Sequence, residues 1–448
     1  MTRSIQAVLL GTFTLRFSTG LTTGLLVYYL AGLEEYGAAS GVGPIEVGLL
    51  TATFYLAELL LSPLFGILSD RLGSRRVMQF GPVFGAVAVV MTALTTDLFL
   101  LGITRWLEGA AAAANIPSIL GYIAGATSHD EGLRGRVVAR FEAATLAGLG
   151  VGIVAAGGLW ELLGRNAFYL NAVLYLVSLV IYRYGVTEAR AGTARADDVD
   201  TGAAGAHRFS LGRYRALLTS RTVWLLAPTW IAVNAFIGAW TSQSIFQLVN
   251  EPKPGFENQR LMGGYEPIGI SIGLAIAMLI FFAGIFYWGN RFRRYRRTTI
   301  MAIGIVGGLA MIGAIFGLNH TADSLAVVQF GLLGVAMAGL FVLAGATPAA
   351  LGMLADISET HPEDRGAIMG LYSVFLALGQ ITGSLVGGGA AELRGVDGLL
   401  LVSAILLGVA LAPLRWLRRS EHLVPGAVPA DELAPPAAGS RERGPEAS

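Results

Sequence analysis

The sequence contains no cysteine and few charged residues. None of its 448 residues is Cys, and only 14% are Asp, Glu, Lys or Arg, whereas about a quarter of a soluble domain is charged. Disulfides, thiolate nucleophiles and thiolate metal sites are therefore excluded. No glycine-rich phosphate loop ending in Gly-Lys-Ser/Thr occurs, and the five histidines lack the paired spacing of metal ligands. The sequence thus predicts no enzyme, no cofactor, no bound metal and no nucleic-acid partner.

Apolar residues are abundant and lie in long runs. Of all residues 54% are hydrophobic, and each run is long enough to cross a bilayer as a helix. Only helices or closed barrels satisfy the backbone in lipid, so we predict an all-α membrane protein with twelve transmembrane helices. The runs lie near 6–32, 45–68, 76–96, 98–126, 136–159, 166–184, 223–248, 266–289, 298–318, 323–354, 366–391 and 397–416.

The basic residues are distributed unequally between the two ends of these runs. One side holds Arg3, residues 71–76, the 183–221 segment and the 291–297 loop, among others, while the other side keeps few basic residues. Cytoplasmic loops carry the excess of Arg and Lys. We therefore expect a multi-pass protein of the cell membrane with both termini in the cytoplasm.

The second half of the sequence repeats the first. Arg134, Gly148, Gly152, Gly157, Gly158 and Glu161 recur 231 residues later as Arg365, Gly379, Gly383, Gly388, Gly389 and Glu392. Parallel repeats of this kind build the two halves of some transporters. We predict an N-terminal six-helix bundle over 1–184, a cytoplasmic linker over 185–222, a C-terminal six-helix bundle over 223–416 and a disordered cytoplasmic tail over 417–448.

A cationic segment joins the second and third apolar runs. Residues 66–76 read Gly-Ile-Leu-Ser-Asp-Arg-Leu-Gly-Ser-Arg-Arg. This segment resembles the loop signature of the major facilitator superfamily of secondary transporters, and every key position of the signature is matched. The resemblance implies two pseudo-symmetric six-helix halves around a central cavity, and a gating role at the cytoplasmic side. The gating residues would be Gly66, Asp70, Arg71, Gly73, Arg75, Arg76 and Arg365.

Charged residues inside the first-half runs are candidates for the transport pathway. The stretch from Arg105 to Gly109 and the alanine run to Asn115 resemble the family's fourth-helix motif, an Arg followed four residues later by Gly. Arg105, Glu108 and Asn115 share one helix face. Arg16 and Glu58 lie at a similar predicted depth, so the four charges are expected to form a neutral buried cluster. Such residues are costly in lipid and are usually functional or paired. The alternative is a local Arg105–Glu108 ion pair that only braces the helix.

The second-half candidates are aromatic rings and amides without a carboxylate. These residues favour a neutral or amphiphilic small solute over a highly charged one. They are Trp230, Asn234, Gln243, Tyr372 and Gln380.

The resemblance implies secondary active transport of a small molecule by alternating access. The glycines of the fifth run resemble a motif of the drug/proton antiporter branch, although Leu159 stands where that motif has Pro. We expect a monomer in the lipid bilayer, coupled to protons, with efflux slightly favoured. Glu108 is the first candidate for the proton-binding residue and Glu58 the second. The alternatives are a facilitated uptake carrier and a non-transporting membrane sensor or scaffold with the same fold.

Overall fold

The computed structural model describes residues 3–127, 130–187, 221–250, 254–291, 294–322, 325–359 and 365–420. Within these ranges every regular element is a helix. Most of the linker and tail predicted for 185–222 and 417–448 lies outside the described residues, so those two predictions are not addressed by the structure.

The helices follow the apolar runs closely. The N-terminal helices are α1 (Arg3–Ala31), α2 (Pro44–Leu72), α3 (Ser74–Val77), α4 (Phe80–Leu94), α5 (Leu98–Ala126), α6 (Glu131–Leu163) and α7 (Ala167–Val180). The C-terminal helices are α8 (Arg221–Val249), α9 (Pro267–Gly289), α10 (Arg297–His320), α11 (Ala326–Leu343), α12 (Ala346–Glu359) and α13 (Arg365–Ser420). Non-helical backbone at Arg394 and Gly395 divides α13 into two arms.

Seven helical stretches of the described chain are long and apolar enough to cross a membrane, judged by length and composition. Two of them, Gly132–Gly185 and Ser373–Arg419, each contain two of the predicted apolar runs. The protein is therefore an all-α, multi-pass membrane protein, and the count of twelve stays a prediction.

Glycines bring α6 and the first arm of α13 into close contact with equivalent partners. A Cβ on Gly148 would lie 2.6 Å from the carbonyl oxygen of Phe13 in α1. A Cβ on Gly379, the repeat of Gly148, would lie 2.7 Å from the carbonyl oxygen of Ile231 in α8. Small residues permit such close backbone approach between membrane helices. The sequence repeat thus has a counterpart in packing, with α1–α6 matching α8–α13.

The same comparison aligns Arg16 with Asn234. The nearest side chain to a Cβ on Gly148 is Arg16, whereas the nearest to a Cβ on Gly379 is Asn234. A charged residue in the N-terminal helices therefore has an amide as its counterpart in the C-terminal helices.

We call the end of the molecule where α2 and α9 begin the arginine-poor end, and the end where they finish the arginine-rich end. One hydrophobic cluster at the arginine-poor end contains residues from both the N-terminal and the C-terminal helices: Tyr28 and Val47 pack there with Phe246 and Ile270. The other three clusters each draw residues from only one of the two sets of helices.

Close contacts between the N-terminal and C-terminal helices also lie at the arginine-poor end. A Cβ on Gly388 would lie 2.6 Å from the carbonyl oxygen of Pro44 and 3.4 Å from the Cα of Gly48. Gln243 of α8 donates a hydrogen bond to the same Pro44 oxygen at 2.9 Å. In α6, the backbone N–H of Gly157 donates to Ser271 of α9 at 3.0 Å. This end of the molecule is sealed.

Two glutamates related by the repeat each meet a helix N-terminus of the opposite set. Glu161 accepts a 2.7 Å hydrogen bond from the backbone N–H of Ile268, in the first turn of α9. Glu392 places Oε2 2.8 Å from where a Cβ on Gly43 would be, at the N-cap of α2. A carboxylate at a helix N-terminus is stabilised by the unpaired N–H groups and the helix dipole. We call these two residues the latch glutamates, because each lies at a contact between the two sets of helices at the sealed end.

Candidate functional site

Arg105 and Glu108 form an ion pair on α5, one turn apart. Both residues are buried, with 5% and 3% of their surface exposed. Their other electrostatic partner is Tyr175 of α7, whose hydroxyl donates a 3.5 Å hydrogen bond to Thr19 of α1. The pair therefore lies in the interior of the N-terminal helices, and whether it only braces α5 stays open.

Arg16 lies in electrostatic range of two carboxylates on two other helices. These are Glu58 of α2 and Glu142 of α6. Arg16 and Glu58 are half-buried and Glu142 is exposed, whereas Arg105 and Glu108 are buried. By helical rise, Arg16 and Glu58 lie about 20 Å from the arginine-rich ends of their helices, and Glu142 about 16 Å. One arginine is thus shared by two carboxylates in the middle of the molecule.

The four charges predicted to form one cluster are arranged as two groups. Arg105 and Glu108 pair with each other, whereas Arg16 interacts with Glu58 and Glu142. Glu108 lies about 27 Å from the arginine-rich end of α5, deeper than the other carboxylates.

Glu142 is a candidate site residue that sequence reasoning missed. The fifth apolar run was expected to begin near residue 136, which placed Glu142 at a helix start. The helix in fact begins at Glu131, and Asp130 caps it by accepting the backbone N–H of Leu133 at 2.7 Å. An acidic residue three positions before the first bonded N–H is a common helix-start signal. Recognising it would have placed Glu142 near mid-membrane.

The predicted amides mostly bond to backbone. Asn115 donates to the carbonyl oxygen of Ala111 at 2.7 Å, and its amide fills the space above Gly81 of α4. Asn234 donates to the carbonyl oxygen of Trp230 at 2.9 Å. Both asparagines are almost fully buried. Asn115 therefore supports helix packing between α4 and α5.

The remaining second-half candidates that the structure describes lie either at the contact with α2 or α8, or in the hydrophobic core of the C-terminal helices. Gln243 is fully buried at the seal with α2. Trp230 belongs to the hydrophobic core of the C-terminal helices. Gln380 is 5% exposed and its backbone packs against Gly238 of α8. The side chain of Tyr372 lies outside those that the structure describes.

The loop after α2 has the local structure its sequence predicts. α2 ends at Leu72, and Gly73 adopts φ +90°, a conformation that favours glycine. Asp70, Arg71 and Arg76 are exposed. Arg75 donates a 2.7 Å hydrogen bond to the carbonyl oxygen of Arg183, beyond the C-terminus of α7.

Gly66 is not sterically required in this conformation. A Cβ there would lie 3.9 Å from Pro117, an ordinary van der Waals distance. The side chain of Arg365 is outside the described set, and the gating role of these residues stays a prediction.

No group of three or more His, Asp or Glu in the described part of the chain could hold a metal ion. The arrangement instead combines a closed end with an arginine that lies in electrostatic range of two carboxylates halfway along the molecule. These residues contain no nucleophile–base pair.

Sequence comparison identifies related proteins along nearly the whole chain. The family model described as Major Facilitator Superfamily matches residues 8–344 and 263–443. The Quinolone resistance protein NorA of Staphylococcus aureus (strain MSSA476) is 21% identical over 395 residues, which cover 87% of this chain and 90% of that protein. Multidrug resistance protein 2 of Bacillus subtilis (strain 168) is 22% identical over 387 residues, covering 86% and 88%.

Solved structures share the fold. The nucleoside transporter NupG superposes with a TM-score of 0.63 at 16% identity, over 94% of this chain and 99% of that chain. A bacterial homologue of the human lysosomal transporter Spinster, solved in an inward-facing and unoccupied conformation, gives a TM-score of 0.63 at 14% identity, over 94% and 96%.

Proposed function

Because the chain belongs to the major facilitator superfamily, and is therefore a membrane transport protein rather than an enzyme, we propose that it exports small amphiphilic molecules in exchange for protons. The observation that carries this proposal is the combination of a sealed arginine-poor end with a partly exposed charge group near mid-helix. The similarity to NorA and Multidrug resistance protein 2 favours efflux of drug-like solutes.

The proposed architecture has twelve membrane helices in two halves, 1–184 and 223–416, joined by a cytoplasmic linker, with a cytoplasmic tail over 417–448. The repeated glycine contacts of α6 and α13 support this layout. The protein works as a monomer in this proposal, since each half supplies one wall of the pathway.

The arginine asymmetry assigns the arginine-rich end to the cytoplasm. Since the two sets of helices meet closely at the arginine-poor end, we propose that this conformation is inward-facing. Cysteines introduced at Ser74 and Arg294 should be protected from an impermeant thiol reagent in intact cells, whereas one at Asn258 should react. Labelling of Ser74 from outside would refute this orientation.

In the outward-open state the 66–76 loop closes the cytoplasmic side. The exposed positions of Asp70, Arg71 and Arg76 leave them free to contact the other half as it approaches. Gly66 has no close neighbour in the present conformation, so in this proposal a helix of the other half packs against it only in the outward-open state. Asp70→Asn should weaken this closure, because the start of α13 attracts a carboxylate. Unchanged transport and cytoplasmic accessibility in that variant would remove the gating role.

Proton coupling is assigned to the carboxylates that lie beside arginines. A buried carboxylate can bind and release a proton near neutral pH when desolvation opposes its charge and a neighbouring cation favours it. Movement of α2 against α6 would change which of Glu58 and Glu142 is paired with Arg16. Exposure favours these two over Glu108, whose ion pair with Arg105 stays inside the N-terminal helices.

Proton flux in reconstituted vesicles tests this assignment. The double variant Glu58→Gln, Glu142→Gln should lose accumulation against a gradient but retain substrate exchange at equal concentrations. Glu108→Gln measures the contribution of the deeper carboxylate, and Glu34→Gln, at an exposed position just after α1, is the matched control. Unaltered coupling in a triple variant of Glu58, Glu108 and Glu142 would contradict proton coupling by these residues and leave facilitated diffusion.

A further inference from the structure

A shallow cavity of about 390 Å³ lies beside the C-terminus of α9, at the arginine-rich end. Tyr287, Asn290, Arg291 and Arg294 line it. It is separate from the charge group around Arg16 and is not used by the proposed transport mechanism.

The two arginines are held at the cavity by local structure. The backbone N–H of Arg294 donates to the carbonyl oxygen of Arg291 at 2.9 Å, which forms a tight turn. The guanidinium of Arg291 lies 4.1 Å from the ring centroid of Tyr287, and that ring packs at 5.2 Å against Phe341 of α11. Arg291 is therefore placed on an aromatic base between α9 and α11, and the turn brings Arg294, whose guanidinium lies 5.9 Å from the ring centroid of Tyr295, to the same cavity.

Neither arginine is neutralised within the described part of the chain. The ion pairs observed there join Arg105 to Glu108 and His320 to Asp397. Two guanidinium groups that share a cavity without a carboxylate provide donors suited to a phosphate group, which they can bind in bidentate geometry.

An apolar stripe leads along α9 to this cavity. Ile272, Ile276, Leu279 and Phe286 recur every three, four or seven residues on one face, and each is more than half exposed. In a membrane helix such a face meets acyl chains. The stripe ends within one turn of Tyr287, so a lipid lying against it would bring its headgroup to the arginines.

We propose that this cavity binds the headgroup of an anionic phospholipid. Basic pockets at the cytoplasmic ends of membrane helices bind such headgroups through their arginines. The apolar stripe favours a lipid over a free phosphate, because only the lipid fills both features. The bland alternative is that the arginines merely complement the C-terminal dipole of α9.

Native mass spectrometry of the purified protein titrated with phosphatidylglycerol or phosphatidylcholine of the same chain length tests the site. Phosphatidylglycerol should bind more tightly to the wild type. In Arg291→Gln, Arg294→Gln its affinity should fall about thirtyfold, from the usual contribution of each arginine near an anionic surface. The matched control Arg418→Gln, Arg419→Gln removes two exposed charges from the last turn of α13 and should bind as the wild type does.

Equal losses in both double variants would show diffuse attraction and overturn the proposal. Competition by inorganic phosphate at the lipid's own concentration would also overturn it, since the site would then recognise a free anion. If the Gln pair fails to fold, Arg291→Lys, Arg294→Lys replaces it. That variant keeps the charge but loses the bidentate geometry, and it should bind with intermediate affinity, whereas wild-type affinity would contradict a built phosphate site.

Discussion

Adding one methyl group at Gly388 should open the sealed end of the molecule. A Cβ at this position would lie 2.6 Å from the carbonyl oxygen of Pro44 and 3.4 Å from the Cα of Gly48. Both neighbours are backbone atoms, so no side-chain rotation can relieve the overlap, and α2 and α13 must separate. The clash exists only in the state in which this end is closed.

The expected magnitude follows from the cost of overpacking, about 1–3 kcal/mol per inserted group. Because the closed state alone bears that cost, the ratio of closed to open molecules should fall by about 5- to 150-fold. Gly157→Ala should act in the same direction, since its Cβ would lie 2.7 Å from the backbone carbonyl carbon of Pro267.

The chain offers matched controls next to each site. A Cβ at Gly389 or Gly158 would have no neighbouring atom within 4 Å. Gly389→Ala and Gly158→Ala each add one methyl group and the same gain in helix propensity, one residue after Gly388 and Gly157. They should leave the conformational equilibrium unchanged.

Distances between spin labels measure this equilibrium. The chain has no cysteine, so labels attach only at introduced cysteines. A pair at the exposed positions Ser40 and Asn258 reports on the arginine-poor end, and a pair at Arg136 and Arg415 on the arginine-rich end. In Gly388→Ala the first distance should lengthen and the second shorten. Identical distance distributions for Gly388→Ala and Gly389→Ala would refute the argument that this close approach defines the sealed state.

Two further substitutions test the latches and the core. Glu161→Gln combined with Glu392→Gln should raise the population with an open arginine-poor end by about 3- to 30-fold, because each carboxylate contributes about 0.3–1 kcal/mol at a helix N-terminus. The same spin-label distances measure this population. Unchanged distances would show that the two glutamates do not hold this end closed. Asn171→Ala should lower the free energy of unfolding by about 1–3 kcal/mol, because the amide donates to the Ser18 carbonyl at 3.0 Å and to the Thr22 hydroxyl at 2.7 Å. The unfolding temperature in detergent measures this loss. An unchanged temperature would mean that these two hydrogen bonds make no net contribution to stability.

Helix positions could be predicted from the sequence because the physical constraint is strong. Each of the twelve apolar runs overlaps an observed helix, since a backbone in lipid has no other means of bonding its polar groups. The end of α2 could likewise be predicted, because Gly73 adopts φ +90°, a conformation that glycine takes more easily than other residues. The relation between Gly148 and Gly379 followed from their fixed offset and is matched by equivalent packing.

The grouping of charges could not be predicted in the same way. The depth of each charged residue in the membrane was estimated from the boundaries of the apolar runs. Because α6 starts five residues earlier than its run, Glu142 lies further from the helix start than expected. Periodicity placed Arg105 and Glu108 on one face of α5, but it does not say whether that face meets the pathway or a neighbouring helix. Only the packed structure shows that the pair is buried within electrostatic range of Tyr175.

The central claim is that this transporter moves a drug-like solute by exchanging it for protons. The most direct test is solute flux in vesicles containing only the purified wild-type protein, with a quinolone as the solute and a proton gradient imposed across the bilayer. We predict accumulation against the solute's own gradient, proton movement in the opposite direction, and loss of both when an ionophore collapses the proton gradient. Equilibration at a rate that is independent of the proton gradient, or binding of the solute without any flux, would contradict the account.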